Sequence, residues 1–245
     1  MAGSGLRASV RGAVPGPVKA AAKWALRRAA DLDDRLHGRP VPPWALRRQV
    51  SGDFRAVGRE FTGYLVELGG LRAGDRMLDI GCRAGRLAIP LLEALGPDGR
   101  YEGVDTWAEG IAWCQQVVTP RRPGFRFRLV PGEGEGLVAL PYGDGEFDVV
   151  LFGTINYLSP AGFTHFLAES ARVLRPGGTY FGTWYLWAGR EPRAPGDTPV
   201  LATTEEEARA RLAALGLDVL AVHRGRWDGH EPALSHQDVV VARKG

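Results

Sequence analysis

Short apolar runs recur along the chain, and between them lie segments whose apolar residues return every three or four positions. The short runs predict strands and the periodic segments predict helices. Seven runs stand out, over residues 77–80, 99–105, 125–130, 147–153, 179–184, 217–223 and 238–242. Helical spacing fills residues 84–95, 108–118 and 162–174, and a further helix opens at Thr204 with a capping-box sequence. This alternation predicts an α/β fold whose last two strands form an antiparallel pair.

Another helix is predicted upstream of the first strand, within residues 51–71. Its apolar positions recur at helical spacing and are Phe54, Val57, Phe61, Leu65 and Leu68. A stiff Pro-Val-Pro-Pro break at residues 40–43 precedes this segment. We expect the helix to lie over the sheet as a cap, where it either contacts a ligand or serves packing alone.

The turn after the first predicted strand carries the clearest chemical signal. Residues 79–85 read Asp-x-Gly-x-Arg-x-Gly, which differs from the Gly-x-Gly-x-x-Gly fingerprint of dinucleotide sites. Asp79 stands two positions before Gly81, so its carboxylate would repel a pyrophosphate but would suit a ligand that carries an ammonium group. The two glycines permit a tight turn and a close approach of the backbone to that ligand.

A second acid, Asp105, closes the second predicted strand. It lies about 20 residues past the turn, where doubly wound nucleotide-binding folds place a carboxylate on the ribose hydroxyls. Asp105 is therefore the ribose candidate. It also stands before a predicted helix, where an Asp often serves as the N-cap, and the two roles are compatible.

Several landmarks follow one another in a fixed order: the turn at residues 79–85, Asp105, Phe147-Asp148 and the Leu-Arg-Pro-Gly-Gly run at residues 174–178. Over roughly residues 50–243 this order resembles the class I S-adenosylmethionine (SAM) dependent methyltransferases, and a branch of small bacterial enzymes among them. The resemblance implies a doubly wound, Rossmann-like, mostly parallel seven-stranded sheet with an antiparallel C-terminal strand and an N-terminal helical cap. It also implies SAM as the cofactor.

The resemblance assigns roles to particular residues. Asp79 would bind near the amino group of the cofactor, the glycines would seat its methionine part, and Asp105 would hold its ribose. Glu133 stands near the position where the family usually has an Asp for the adenine amino group. The implied cofactor-binding set is Asp79, Gly81, Cys82, Arg83, Gly85, Asp105, Thr106, Glu133 and Gly153.

Arg83 departs from the family pattern, because it replaces the middle glycine of the first motif. If this position requires a positive φ, an arginine there costs on the order of 1 kcal/mol or more. Alternatively, its guanidinium pairs with the carboxylate of the cofactor, and this charge-assisted contact strengthens binding. The residues alone leave both alternatives open.

The acceptor side is expected beyond the ends of the fourth, fifth and sixth strands. Amine methyltransferases commonly carry Asp/Asn-Pro-Pro-Tyr/Phe after strand four, whereas residues 154–157 here read Thr-Ile-Asn-Tyr, so an oxygen acceptor is preferred. The expected substrate-binding residues are Asn156, Tyr157, Tyr185 and Trp227, although loop packing is the other explanation for the first two. His230 and His236 are the candidate general bases for a hydroxyl acceptor, or else surface residues.

Charge and composition narrow the class of protein. The 245 residues are 44% hydrophobic and 24% charged, with a net charge of +3. Residues 1–50 carry ten Lys or Arg and three acids, while the remainder carries 21 and 25, so the basicity belongs to a leader. An acidic body disfavours a nucleic-acid partner. Two cysteines indicate a reducing cytoplasm, and no metal site is expected.

We therefore expect a basic leader over residues 1–45, partly disordered or helical, and a SAM-binding domain over residues 46–245. The leader is a solvated or cap-docked helix, a weak membrane-surface helix, or a partner-binding or targeting segment, and no transmembrane span is expected. The preferred function is methyl transfer to a small-molecule hydroxyl, as on a secondary metabolite or a sugar. The alternative is a methyltransferase-like domain without turnover that serves as a binding module. The oligomeric state is left open.

Overall fold

The computed structural model of the chain describes residues 32, 38, 40–50, 52–132, 136–153, 158–187, 201–227 and 232–245. The chain divides between Pro43 and Trp44, and the second part carries all the elements named below. The helices are α1 (Trp44–Arg47), α2 (Phe54–Glu67), α3 (Ala88–Ala94), α4 (Ala108–Val117), α5 (Pro160–Val173) and α6 (Glu205–Ala213). The strands are β1 (Arg76–Ile80), β2 (Arg100–Asp105), β3 (Phe125–Leu129), β4 (Phe147–Phe152), β5 (Leu174–Trp184), β6 (Leu186–Trp187), β7 (Thr203–Thr204), β8 (Leu217–His223) and β9 (Asp238–Lys244).

Seven of these strands form one sheet in the order β3-β2-β1-β4-β5-β9-β8. The first five are parallel, whereas β9 runs antiparallel to both β5 and β8. Strand β8 therefore points the same way as the parallel set. The predicted doubly wound, mostly parallel seven-stranded sheet with an antiparallel C-terminal strand is confirmed. Its strand order reverses between β1 and β4, and in such sheets ligands bind beyond the carboxyl ends of the strands at that point.

The sheet is covered on both faces because its strands carry apolar residues on alternate sides. Leu78, Ile80 and Tyr180 pack on one side with α5 and α6 residues. Met77, Leu151 and Phe181 pack on the opposite side with residues of α2, α3 and α4. Side chains at the carboxyl ends of the strands thus divide between the two faces, and those on the second face lie beneath α2.

Helix α2 is the cap helix predicted from residues 51–71. Asp53 caps its N-terminus, where Oδ1 accepts hydrogen bonds from the backbone N–H groups of Arg55 and Ala56 at 3.0 and 2.7 Å. Leu65 is fully buried in the core below. At its far end the Tyr64 hydroxyl donates to the Leu234 carbonyl at 2.8 Å. The cap is thereby attached to the segment that leads into β9.

Two element boundaries differ from the sequence prediction by about four or five residues. The helix predicted over residues 84–95 begins only at Ala88, because Arg83 and Gly85 have φ of 53° and 73° and keep the chain out of the helical region. Strand β5 begins at Leu174 rather than at Thr179, directly after α5 ends at Val173. The predicted capping box of α6 is confirmed: Thr204 Oγ1 accepts from the Glu207 N–H, and the Glu207 carboxylate accepts from the Thr204 N–H.

Candidate active site

The turn after β1 is held by backbone hydrogen bonds to the neighbouring strand. The Gly81 and Cys82 N–H groups both donate to the Val104 carbonyl, at 2.8 and 3.1 Å, and the Gly85 N–H donates to the Cys82 carbonyl. Gly81 and Gly85 have φ of 90° and 73°, which glycine adopts without a steric penalty. The Cys82 thiol is turned into the core, since a Cβ added to Gly103 would lie 2.8 Å from its Sγ.

Asp105 ties this turn to the end of β2. Its Oδ2 accepts from the Arg83 N–H at 2.8 Å, and its Oδ1 accepts from the Trp107 N–H at 2.9 Å. Each carboxylate oxygen has a second lone pair available. Asp105 is therefore fixed in orientation by the backbone and still able to accept hydrogen bonds from a ligand, such as the two hydroxyls of a ribose.

The Asp105 carboxylate lines a cleft of about 260 Å³ at the carboxyl ends of β1 and β2. Thr106 and Gly132 lie on its rim, and Val130 and Phe166 supply apolar walls. The remaining described lining residues are Ile80, Gly81, Arg83, Val104 and Leu158. A cleft with an acid at one side and an apolar slot at the other suits a nucleoside, whose sugar is polar and whose base is flat.

Asp79 lies buried on the other side of the turn, on the sheet face that α2 covers. Its Oδ2 accepts a hydrogen bond from the Tyr101 hydroxyl at 2.6 Å. Burial raises the pKa of Asp79 to about 7, and the nearby Asp105 charge adds to the rise, while the Tyr101 hydrogen bond and Arg86 oppose it. A cationic ligand group would favour the ionised form and would lower this pKa again.

Asp79 lines a second, smaller cavity of about 70 Å³ beneath the cap helix. Val57 and Phe61 of α2 form its roof. The carboxyl ends of β4 and β5 and the segment before β9 contribute Gly153, Thr183 and Gln237 to its lining. The other lining residues are Gly81, Cys82, Arg83, Arg86, Leu87 and Leu151. Since Gly81 and Arg83 line both cavities, one elongated ligand can pass over the turn from one to the other.

Arg83 has the left-handed backbone conformation that its position requires, with φ of 53°. This conformation costs on the order of 1 kcal/mol for a residue with a Cβ. The guanidinium lies 5.0 Å from the centroid of the Trp107 ring, and Nη2 donates to the Gln49 carbonyl at 3.1 Å. The arginine therefore keeps the turn geometry of a glycine, and its side chain connects the turn to the segment that precedes α2.

Asp238 is the buried acid that organises the loops on the acceptor side. It is 0% exposed, and Oδ2 accepts from the Leu186 N–H at 2.7 Å and from Trp227 Nε1 at 2.6 Å. Its Oδ1 accepts from the Gly225 N–H at 2.8 Å. One carboxylate at the start of β9 thus holds the loop after β5 and the loop after β8 together.

An aromatic cluster sits on this Asp238 junction. The Tyr185 ring lies 5.1 Å from the Trp227 ring and 6.5 Å from the His236 ring, both in edge-to-face geometry. Trp187 packs against Trp227 at 6.2 Å. Tyr185, Trp227 and His236 are absent from the described lining of the two cavities, although Gln237, the neighbour of His236, lines the smaller one.

The structure gathers most of the residues expected around the cofactor. Asp79, Gly81, Cys82, Arg83, Asp105, Thr106 and Gly153 line one cavity or both, and Gly85 supports the turn beneath them. Glu133, Asn156, Tyr157 and His230 lie outside the described residues. Tyr101, Thr183, Gln237 and Asp238 were not singled out from the sequence, because a polar residue within or beside an apolar strand carries no periodic signal of its own.

Several known proteins are similar to this chain. A methyltransferase-domain family matches residues 77–178. The probable phthiotriol/phenolphthiotriol dimycocerosates methyltransferase 2 of Mycobacterium ulcerans is 36% identical over 152 residues, which are 62% of this chain and 50% of that protein. The fatty-acid O-methyltransferase of Mycolicibacterium smegmatis is 35% identical over 120 residues, which are 49% of this chain and 39% of that protein.

Among solved structures, the chain is similar to a 1,6-didemethyltoxoflavin-N1-methyltransferase from Burkholderia thailandensis with bound 1,6-didemethyltoxoflavin and S-adenosylhomocysteine. The two share 23% identity with a TM-score of 0.55, over 96% of this chain and 93% of that one. The matched part of this chain spans half or less of the length of the two mycobacterial relatives. Within the residues that the structure describes, no helix has the length and apolar character needed to cross a membrane.

Proposed function

We propose that this chain, whose residues 77–178 match a methyltransferase-domain family, is a class I SAM-dependent methyltransferase. In this proposal it transfers the methyl group of SAM to a hydroxyl oxygen of a small, largely apolar acceptor. The observation that carries the proposal is the pair of cavities that share Gly81 and Arg83. One cavity has the polar and apolar walls of a nucleoside site, and the other has an acid at one end and an apolar roof.

The residues present fit SAM. Asp105 keeps free lone pairs for ribose hydroxyls, Val130 and Phe166 offer apolar walls for the adenine, and Asp79 offers a buried carboxyl for the amino group. When bound, SAM supplies a methyl group already activated by its positively charged sulfur. The protein therefore needs chiefly to hold donor and acceptor in line and to keep water away.

Helix α2 provides the exclusion of water in this proposal. Val57 and Phe61 close the smaller cavity from above, and Tyr64 fastens the helix to Leu234. The Asp238 junction holds the two loops beside it in place. Asn156, Tyr157, Tyr185 and Trp227 remain our candidates for contacts with more distant parts of the acceptor, and His230 and His236 remain the candidate bases.

Three lines of support favour an oxygen of an apolar molecule. The described walls of the smaller cavity include Val57, Phe61, Leu87 and Leu151, which suit a hydrocarbon body better than a sugar. The two mycobacterial relatives are named for methyl transfer to phthiotriol or phenolphthiotriol dimycocerosates and to fatty acids. The sequence at residues 154–157 also lacks the prolines of the amine motif.

A methyl-transfer assay tests the proposal. Purified chain is incubated with methyl-labelled SAM and with dodecanol, nonylphenol, dodecanoic acid or dodecylamine, and labelled product is extracted. We expect label in the two hydroxyl probes, dodecanol and nonylphenol, and none with Asp105→Ala. Transfer to dodecylamine alone would contradict an oxygen acceptor. Calorimetric binding of SAM without transfer to any probe would instead favour a domain that binds the cofactor without turnover.

A further inference from the structure

Thr183 occupies a particular place near the carboxyl end of β5. It pairs with Val239 of β9, and it lies two residues beyond Phe181, which packs on the α2 side of the sheet. Because side chains two apart on a strand share a face, Thr183 also faces α2. It therefore forms part of the floor of the smaller cavity, level with Gly153 on β4.

The hydroxyl of Thr183 is buried without a partner. The residue is 4% exposed, and its Oγ1 has no hydrogen-bond partner among the residues that the structure describes. An unsatisfied buried hydroxyl destabilises the fold, because it has lost its hydrogen bonds to water and gained none in return. Valine has the same shape and a high strand propensity, so folding alone would be served better by valine here. The cost of the hydroxyl indicates a ligand that satisfies it.

The position of Thr183 separates it from the acid that faces the cofactor. Asp79 pairs with Leu151, and Leu151 pairs with Phe181. Thr183 thus lies two strands across and two residues further along, roughly 12 Å from Asp79 at standard sheet spacings. One small chemical group cannot touch both side chains. Thr183 is left for a second group, which approaches from the Gly153 and Gln237 side of the cavity.

We propose that Thr183 is a specificity-determining residue whose Oγ1 hydrogen-bonds the reacting hydroxyl of the acceptor. This inference rests on the proposed function, in which that hydroxyl receives the methyl group. The contact positions the acceptor oxygen at the Gly153 and Gln237 side of the smaller cavity, and it makes or breaks no covalent bond. A site built to hydrogen-bond a substrate group rejects analogues that lack this group, so acceptors without a hydrogen-bonding group at this point are rejected.

Three variants test the proposal. Thr183→Val removes the hydroxyl and keeps the shape, whereas Thr183→Ser keeps the hydroxyl. Thr179→Val is the matched control, since Thr179 is a buried threonine on the same face of β5 but lies outside the cavity lining. For each variant the kinetic constants KM and kcat are measured with dodecanol and with nonylphenol. S-adenosylhomocysteine affinity is measured by calorimetry, and Tm by thermal melting.

We expect Thr183→Val to raise the KM for both hydroxyl probes about tenfold, which corresponds to one lost hydrogen bond of about 1.4 kcal/mol. Thr183→Ser and Thr179→Val should stay near wild type, and S-adenosylhomocysteine affinity should be unchanged in all three. Unchanged kinetics in Thr183→Val, or an equal loss in Thr179→Val, would overturn the proposal.

The Tm values test, without any acceptor, whether the Thr183 hydroxyl is unpaired in the folded protein. An unpaired hydroxyl predicts that Thr183→Val melts at the same temperature as wild type or higher, because valine removes an unsatisfied polar group. A fall in Tm by several degrees that Thr179→Val does not share would reveal a structural hydrogen bond and overturn the proposal. Failure of the wild type to methylate either hydroxyl probe would contradict the proposed function instead, and the two failures are therefore distinct.

Discussion

The two cavities that meet at Gly81 are built in different ways. The polar side of the nucleoside-type cleft is local: Asp105 accepts hydrogen bonds from the Arg83 and Trp107 N–H groups, within one βα unit and the next strand. Its apolar walls, Val130 and Phe166, come from other elements. The cavity under α2 is assembled from Val57, Asp79, Gly153, Thr183 and Gln237. The polar side of the cleft is thus a property of a short motif, whereas the cavity under α2 depends on the whole topology.

This difference determines which of the two cavities can accept substitutions without loss of ligand binding. A cleft fixed by neighbouring backbone groups tolerates little variation, and it serves one cofactor. A cavity whose walls come from several elements can change its lining residue by residue while the sheet stays the same. We therefore expect cofactor affinity and acceptor preference to respond to different substitutions.

The Asp105→Ala variant tests whether the local hydrogen-bond motif of the cleft binds the cofactor. Asp105→Ala removes the acceptor of two backbone hydrogen bonds and the candidate ribose ligand, so S-adenosylhomocysteine affinity should fall at least about 100-fold, or about 2.7 kcal/mol. Calorimetric titration measures it. Asp218→Ala, at an exposed acid on the edge strand β8, is the control and should bind as wild type does. Equal affinities in both variants would show that the cleft is not the cofactor site.

Asp238→Asn tests the long-range half. The amide would turn an N–H₂ group toward one of three donors, those of Leu186, Gly225 and Trp227. We expect the free energy of unfolding to fall by about 2 kcal/mol in urea titrations, together with weaker binding of nonylphenol. Cofactor affinity should stay within about twofold of the wild-type value, because a substitution in a distant loop has little effect on an independent binding cleft. A parallel loss of cofactor affinity would contradict the separation of the two cavities.

The pH dependence of binding tests the role of Asp79, which lines the smaller cavity beside the shared turn. The groups facing its carboxyl are Tyr101, Cys82, Asp105 and Arg86. With a pKa of about 7, the carboxyl loses its charge on acidification just below neutrality. If the ionised form binds the amino group of the cofactor, affinity should weaken about tenfold per pH unit below pH 7. Calorimetry over the range from about pH 5.5 to about pH 8 measures this, and a flat profile would remove Asp79 from the binding role.

Asp79→Asn should abolish the pH dependence of cofactor affinity. It should also raise the stability of the folded protein at neutral to alkaline pH, although it removes a candidate cofactor ligand. The folded-state pKa lies above the ordinary value of 3.8, so the stabilising contribution of the protonated carboxyl is complete below about pH 4 and is lost as the pH rises through about 7. We expect the Asn variant to gain on the order of 1 kcal/mol over wild type at about pH 8 and little at about pH 4. Thermal melts at the two pH values give the comparison.

Tyr64→Phe should have the smallest effect. The hydroxyl lies 2.7 Å from Glu60 Oε1 and 2.8 Å from the Leu234 carbonyl, and its loss loosens the cap helix from the segment before β9. We expect acceptor KM to rise about threefold, or about 0.6 kcal/mol, with cofactor affinity unchanged. Glu60→Gln preserves the contact to Leu234 and is the control. Faster hydrogen exchange over residues 232–237 in the Phe variant alone would support the attachment.

The sequence was informative where chemistry is local. The seven strands of the main sheet, the cap helix, the terminal antiparallel pair and the turn at residues 79–85 follow from periodicity, glycines and capping residues, whereas the short strands β6 and β7 were not predicted. The predicted start of α3 at residue 84 was wrong, because Arg83 has a positive φ and its N–H donates to the Asp105 carboxylate on a neighbouring strand, a contact that local patterns do not show. The sequence also left the direction of the Arg83 side chain open. The structure turns it toward Trp107 and Gln49.

The acceptor side was less predictable for a physical reason. Thr183 lies in an apolar strand, and in the sequence it resembles any β-branched strand residue. That its hydroxyl has no hydrogen-bond partner among the described residues is evident only when the positions of β4, β9 and α2 are known. Asp238 reads as the first residue of a strand, yet its donors come from residues 11 to 52 positions away. A site that depends on contacts between residues far apart in the sequence is determined by the topology of the fold, and local sequence patterns do not predict it.

The contact between Arg83 and the Gln49 carbonyl has a kinetic consequence. Gln49 precedes the cap helix, whereas Arg83 lines both cavities. A displacement of the helix that admits an acceptor would therefore also move the Arg83 side chain, which borders the nucleoside cleft. Acceptor entry and cofactor release would then depend on the same hydrogen bond. We expect an ordered cycle, with the cofactor first on and its demethylated form last off, and a turnover rate set by the lifetime of that final complex.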